Sequence, residues 1–288
     1  MALSDSDIAH LKSWVGRTQT IEDIVAVDRV AAMAATLDLE RAPAAGEPLP
    51  AGWHWLYFNG AARQSELGSD GHPRRGGFLP PVPLPRRMWA GGRITVSGVL
   101  PVGAAARRTS RILSVEAKSG RSGDLVFVTV RHEIAGGQGP ALEEEHDIVY
   151  RAAPAPGAPA PKPEPAPTGA VWRREIRPDP VLLFRYSALT FNGHRIHYDQ
   201  PYATKVEGYP GLIVHGPLIA TLLLDLVARE GKGRLRQFSF RAKSPLFDTA
   251  PFHVNGMPAA AGREAKLWAE GPGGTLAMEA TATLDPGA

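Results

Sequence analysis

The chain has no cysteine, which excludes a disulfide framework, a thiolate metal site and a cysteine nucleophile, and suits a reducing compartment. It also lacks a long apolar run. The best stretch, Leu218 to Val227, contains Asp225 and falls short of the roughly 18 residues that cross a bilayer. The opening Met1-Ala-Leu-Ser-Asp-Ser-Asp carries acids where a secretory leader needs basic residues ahead of an apolar core. A soluble, cytoplasmic protein that engages no membrane is expected. Blocks of like charge are missing too. Net charge is +3, and the basic residues fall in pairs such as Arg74-Arg75, Arg86-Arg87 and Arg107-Arg108. Such pairs, without interleaved aromatics, argue against a nucleic-acid surface and suit an anionic small ligand.

What is present is a globular composition, 43% hydrophobic and 21% charged over 288 residues, long enough for two domains of average size. Residues 152–170 hold seven prolines, so they form neither helix nor central strand. As a polyproline-like spacer, about fifteen such residues span on the order of 45 Å. This linker divides the chain into an N-terminal unit, 1–151, and a C-terminal unit, 171–288.

The halves share a plan of early helix followed by strands. In the first, helices are expected near Asp7–Val15 and Ile24–Leu37, with strands at Trp53–Phe58, Gly92–Val99, Arg108–Ala117, Leu125–Glu133 and Asp147–Tyr150. In the second, Pro178–Ser187 and Pro217–Arg229 read as helices. Strands follow at Leu235–Ala242, Phe252–Gly256, Glu264–Ala269 and Leu276–Thr283. Alternation is plain in Gln237-Phe-Ser-Phe-Arg-Ala, the period of a half-buried strand. The helix at Pro217–Arg229 is apolar nearly all round and must be covered on every side. A sheet curled about a central helix meets that need, so the fold class is α+β, built twice. The aromatic run at Trp53–Phe58 suits core packing or, alternatively, the lining of an acyl tunnel, and Gly76–Pro85 reads as a long irregular loop placed to act as a lid.

Chemistry concentrates between Asn192 and Gln200, where two histidines, an Asn, an Arg and an Asp stand together. His197 is a candidate general base, its tautomer fixed by Asp199 or by a backbone carbonyl. Asn192 orients a water without deprotonating it, or else serves as a turn residue beside Gly193. Gly216 opens the apolar helix ahead of Pro217, where an unpaired N–H can face a carbonyl oxygen; alternatively the glycine permits a tight entry turn. His215 is expected to line the same site. Arg195 and His194 are either partners of a substrate carboxylate or solvated loop residues.

The pattern Tyr186-x-x-Leu189-Thr190-x-Asn192-x-x-x-Ile196-His197-(five residues)-Ala203, followed by Ile213-Val-His215-Gly216, resembles the hydratase motif of the MaoC-like hotdog family. Within that family it is similar to the branch of mesaconyl-C4-CoA hydratase, itaconyl-CoA hydratase and mitochondrial 3-hydroxyacyl-thioester dehydratase. The resemblance covers the whole chain and implies a double hotdog with a degenerate, substrate-accommodating first half and a motif-bearing second half. It implies a hydro-lyase that reversibly hydrates an enoyl thioester, with a C5 dicarboxylic acyl-CoA such as mesaconyl-C4-CoA or itaconyl-CoA yielding citramalyl-CoA. It assigns His197, Asn192 and Gly216 to catalysis, and Arg195, His194, Asp199, His215 and Tyr186 to the substrate. No metal and no cofactor are implied beyond the coenzyme A or acyl-carrier-protein thioester of the substrate itself. A monomer or a homodimer fits. The sequence departs from the usual motif in two places: Phe191-Asn192 stands where a Gly-Asp pair is usual, and His194-Arg195 where Asn-Pro is usual. A hotdog acyl-CoA thioesterase, with Asp199 or Glu207 as its carboxylate, and a non-catalytic acyl-thioester binder are the rival functions.

Overall fold

The computed structural model describes residues 3–120, 123–152, 162–259 and 262–285. In chain order the first half runs α1 (Asp5–Lys12), β1 (Thr18–Ile24), α2 (Val27–Thr36), β2 (Arg86–Val96), β3 (Ala105–Gly120), β4 (Gly123–Gly136) and β5 (Gly139–Arg151). The second half runs β6 (Trp172–Ile176), α3 (Pro180–Leu189), α4 (Gly216–Glu230), β7 (Arg234–Ala242), β8 (Phe252–Pro258), β9 (Glu264–Gly271) and β10 (Thr275–Asp285).

The ten strands make one sheet in the order β1-β3-β4-β5-β2-β7-β10-β9-β8-β6. Read outward from the centre, each half repeats a single order, its second strand innermost and its first strand at the far edge. The halves meet where β2 pairs antiparallel with β7, Gly92 opposite Phe240. The internal repeat thus becomes a continuous sheet, and each half wraps a helix: the α+β architecture expected.

Local chemistry explains the elements. Ser4 caps α1 in a capping box with Asp7, and Asp179 caps α3 by accepting from the Leu182 N–H, with Pro180 in the first turn. In β4 the burial alternates from Val126 to Val130, as a strand with one face on the core must. In α4 every residue from Leu218 to Val227 is buried. Its lone acid, Asp225, is held by Arg174 and Arg229. Both guanidiniums also donate to the Leu37 carbonyl just past α2, tying the central helices of the two halves together.

Two expectations need correction, and two strands were not expected. Trp53–Leu56 is a short 3-10 turn, not a strand: its aromatic rings pack in the core from a turn as well as they would from a strand. The strands β1 and β6 were not anticipated, because they are largely polar edge strands. The loop 76–85 is no free lid; Val82 and Leu84 are buried, and Arg75 donates to the Val82 and Pro85 carbonyls. Of the linker expected at 152–170, residues 153–161 lie outside the described residues, while Pro165 bridges to Thr275 at the start of β10.

Just past α3, Phe191 sits at φ 50° with 67% of its surface exposed. That left-handed backbone costs a residue with a Cβ roughly 1–2 kcal/mol, and it is the position where the usual motif has glycine. Phe191→Gly is expected to raise unfolding stability by about 0.5 kcal/mol after the entropic cost of glycine is counted. Denaturant unfolding checks this, and a loss of stability would show that Phe191 is unstrained.

Candidate active site

Helix α3, the loop that follows it and the start of α4 place the candidate groups. A 3-10 turn, Arg195–His197, carries the motif histidine inward. His197 is 7% exposed, and its Nδ1 lies 2.7 Å from the Ile213 carbonyl oxygen. A carbonyl only accepts, so Nδ1 carries the proton and Nε2 presents a lone pair. Among the described residues, the Ile213 carbonyl is the one hydrogen-bond partner of this ring. Burial pulls the pKa of this ring down to about 3, against the opposing pull of the Ile213 carbonyl, so it is neutral at physiological pH. The backbone carbonyl, and not Asp199, fixes the tautomer.

His197 stacks on His215 at 3.7 Å between ring centroids. His215 is fully buried. Its Nε2 is 2.8 Å from the Ser187 hydroxyl, and burial holds its pKa well below the ordinary histidine value. It is also the N-cap of α4, with Gly216 as the first helical residue. The first N–H groups of a helix have no intrahelical acceptor, and Pro217 has none to offer, so the Gly216 N–H, one residue past the stacked His215, is free of intrahelical bonds. The φ of Gly216 is not positive, and a Cβ there would find only the Trp89 carbonyl, at 3.9 Å. The turn does not require this glycine, and neither does the packing.

His194 joins the row, its ring edge-on to His197 at 5.4 Å. Burial, then the neighbouring His72, lowers its pKa to about 3. The remaining expected residues do other things. The Asn192 Oδ1 accepts the His194 N–H at 3.0 Å, a local turn that leaves only its NH₂ as a donor. Arg195 is spent: its Nε and Nη2 reach one Asp199 oxygen at 2.9 and 2.7 Å, its Nη1 donates to the Ser69 carbonyl, and it lies over Tyr202. Asp199, so held, also caps the Tyr202 N–H. These two are a structural pair, not a substrate clamp. Tyr186 is buried behind His215, its hydroxyl 3.4 Å from that of Thr221, a packing position and not a contact surface.

Sequence reasoning missed a contribution from the first half. The loop Gly68–Pro73 docks on the motif: Asp70 accepts the Arg195 N–H through its carbonyl, and a Cβ on Gly71 would lie 1.9 Å from the Gly193 carbonyl oxygen. Gly71 is required, both by that contact and by its φ of 88°. The docking sets His72 against His194, ring centroids 4.1 Å apart, with the Asp70 carboxylate 3.1 Å from His72 Nδ1. Among the described residues, Asp70, His72 and His194 form the set of histidine and acidic groups gathered closely enough to hold a metal, within 4.8 Å of one another. The His72–Asp70 hydrogen bond already uses that closeness. The only hint in the sequence was the histidine two residues after an aspartate in a glycine-flanked turn.

Beneath the β2–β7 seam lies a second polar cluster. Glu144 is buried and accepts from His54 Nε2 at 2.8 Å, Trp55 Nε1 at 2.8 Å and His146 Nε2 at 2.6 Å. Trp89 packs over His146, and its carbonyl approaches Gly216, so the cluster buttresses the site from below.

A sheet that wraps one helix in each half defines the double-hotdog class, and the family match makes the chain a hydro-lyase of that class. Residues 52–248 match the family model for hydroxyacyl-thioester dehydratase type 2, and the chain belongs to that family. It is 51% identical over 277 residues to a mesaconyl-C(4)-CoA hydratase of Chloroflexus aurantiacus, covering 96% of this chain and 98% of that protein. In structure it is similar to a MaoC-like dehydratase from Phytophthora capsici, with TM-score 0.70 and 13% identity over 98% of this chain and 99% of the other. It is also similar to a Mycobacterium tuberculosis protein with a double hotdog fold, with TM-score 0.56 and 13% identity over 94% and 96% of the two chains. Among the described residues, no helix is long and apolar enough to cross a membrane.

Proposed function

We propose that this hydro-lyase adds water across the double bond of a C5 dicarboxylic enoyl-CoA of the mesaconyl-C4-CoA type, and that His197 is its general base. The observation that carries the reading is the His197 tautomer, locked by the Ile213 carbonyl with Nε2 directed away from it, beside the start of α4. Water gives its proton to Nε2 while its oxygen bonds to Cβ. The π electrons move to the thioester oxygen, to which the Gly216 N–H donates. The Asn192 NH₂ is left to donate to the water oxygen. Residues 1–151 act as the substrate-accommodating unit, and the thioester is carried on coenzyme A, with an acyl carrier protein as the alternative carrier.

Arg195 is committed to Asp199, so the free carboxylate of such a substrate needs another cation. Arg87 fits: it is half-buried, and its charge is felt by Tyr150, His72 and His194. Unlike Arg86, which faces Glu207, it has no carboxylate partner among the described residues. Thioesterase action is disfavoured, because its two candidate carboxylates are both engaged, Asp199 by Arg195 and Glu207 by Arg86 and the Tyr202 hydroxyl.

Mass spectrometry of mesaconyl-C4-CoA and crotonyl-CoA incubated with the enzyme tests the reading. Gain of one water, faster on the dicarboxylic ester, is expected. Free thiol without water gain would replace hydration by hydrolysis, and a preference for crotonyl-CoA would remove the carboxylate argument. Gly216→Ala separates substrate space from fold. The open surroundings of that residue predict stability changed by less than about 1 kcal/mol, with turnover at least tenfold lower. Unfolding midpoint and turnover, measured on one preparation, decide it; unchanged turnover would place the substrate elsewhere.

A further inference from the structure

Hydration needs a second proton step, because the enolate formed by addition must be protonated at Cα, and Asn192 cannot supply that proton. Nothing in the 192–200 loop replaces it: Asp199 is held by Arg195, the His197 ring is bonded to the Ile213 carbonyl, and the loop offers no carboxylate to the His194 ring, whose nearby acid is Asp70 of the first half. The first half brings one in. His72 is the member of the row His72, His194, His197 and His215 that has a carboxylate, Asp70, on its ring nitrogen, and it is held there by the fit of Gly71 against Gly193. Resting on the hydratase reading above, the geometry points to His72, paired with Asp70, as the acid that delivers a proton to Cα.

The steps balance. The water proton goes to His197 Nε2 and the oxygen to Cβ. As the thioester carbonyl re-forms, Cα takes the proton from the His72 imidazolium, whose charge Asp70 offsets. His197 is left protonated and His72 neutral. The proton returns through His194, which lies between them at 5.4 and 4.1 Å, or through solvent, so one water is consumed and no net proton. In the dehydration direction the roles exchange.

The charges facing His72 set its pH dependence. Asp70 favours the imidazolium, whereas burial and the cationic Arg87 and Arg75 oppose it, leaving the pKa below the ordinary value. His194 and His197 are neutral neighbours, and Tyr202 lies near Asp70. Hydration is therefore expected to fall as pH rises through the His72 value. Asp70→Asn, by removing the pull toward the charged form, is expected to shift that falling limb to lower pH.

The test is His72→Gln and Asp70→Asn in the full chain, each checked for unchanged unfolding midpoint. Turnover and its pH dependence are measured in the hydration direction, and the isotope effect of α-deuterated 3-hydroxyacyl-CoA in the dehydration direction. A loss of about 10² or more in His72→Gln, with a larger α-deuterium effect, and the acid-shifted limb in Asp70→Asn are expected. A purely structural role would move neither the isotope effect nor the limb. His72→Gln keeping more than half its turnover while the wild type hydrates normally would overturn this proposal alone, whereas a wild type that adds no water would remove the hydratase reading beneath it.

Discussion

Replacing His197 by asparagine is expected to lower hydration by about 10²–10⁴, the usual worth of a general base, with little change in the fold. The amide nitrogen of asparagine takes the place of Nδ1 and can still donate to the Ile213 carbonyl, so the buried hydrogen bond survives. The lone pair at Nε2 does not. Turnover at saturating substrate, with thermal unfolding on the same sample, measures both. If this variant kept more than half of wild-type turnover, His197 would be excluded as the base. The same environment has a cost in acid. His197 and His194 titrate near 3 in the folded chain, but near the ordinary histidine value of about 6.5 when unfolded. The unfolded state then binds more protons between those values, so stability is expected to decline as pH falls below about 6.5 and to keep declining toward 3.

The second large effect concerns Glu144. Burial alone would raise its pKa, yet the facing His146 and His54 hold it well below the usual carboxylate range. Breaking a buried pair by neutralising one partner typically costs about 3–5 kcal/mol. Glu144→Gln also turns an NH₂ toward a donor, His54 on one side of the carboxylate or Trp55 and His146 on the other. We expect a loss of about 3 kcal/mol or more in denaturant unfolding. A change below about 1 kcal/mol would show that the cluster contributes little. Because the folded pKa is depressed, the stability Glu144 supplies is present above its unfolded value and fades as pH drops through the folded one. Trp89 lies between this cluster and Gly216, so reduced turnover should accompany the lost stability.

Much of this was legible along the chain, and the reasons are physical. Strands such as β4 and β7 announced themselves by alternation, because one face of each is in the core. Helix α4 showed itself by being apolar all round, and His197, His215 and Gly216 by their place next to its start. Trp53–Leu56 misled because a short aromatic run is buried equally well as a strand or as a turn. The edge strands β1 and β6 escaped because half-solvated strands need little apolar sequence. Arg195 looked like a substrate clamp only while its i+4 partner, Asp199, was unseen in space. Asp70 and His72 left only the faint signal of a glycine-flanked Asp-Gly-His turn: more than a hundred residues separate them from His194, and only the joining of two halves at β2 and β7 brings them together.

Nitrogen-15 NMR of the histidine rings is the most direct measurement of the state on which this chemistry depends. At neutral pH the His197 signals should show a protonated, pyrrole-like Nδ1 and an unprotonated, pyridine-like Nε2, a pattern that persists well into acid. An imidazolium at neutral pH, or the proton on Nε2, would contradict the account, since neither form can take a proton from water at the nitrogen facing away from Ile213.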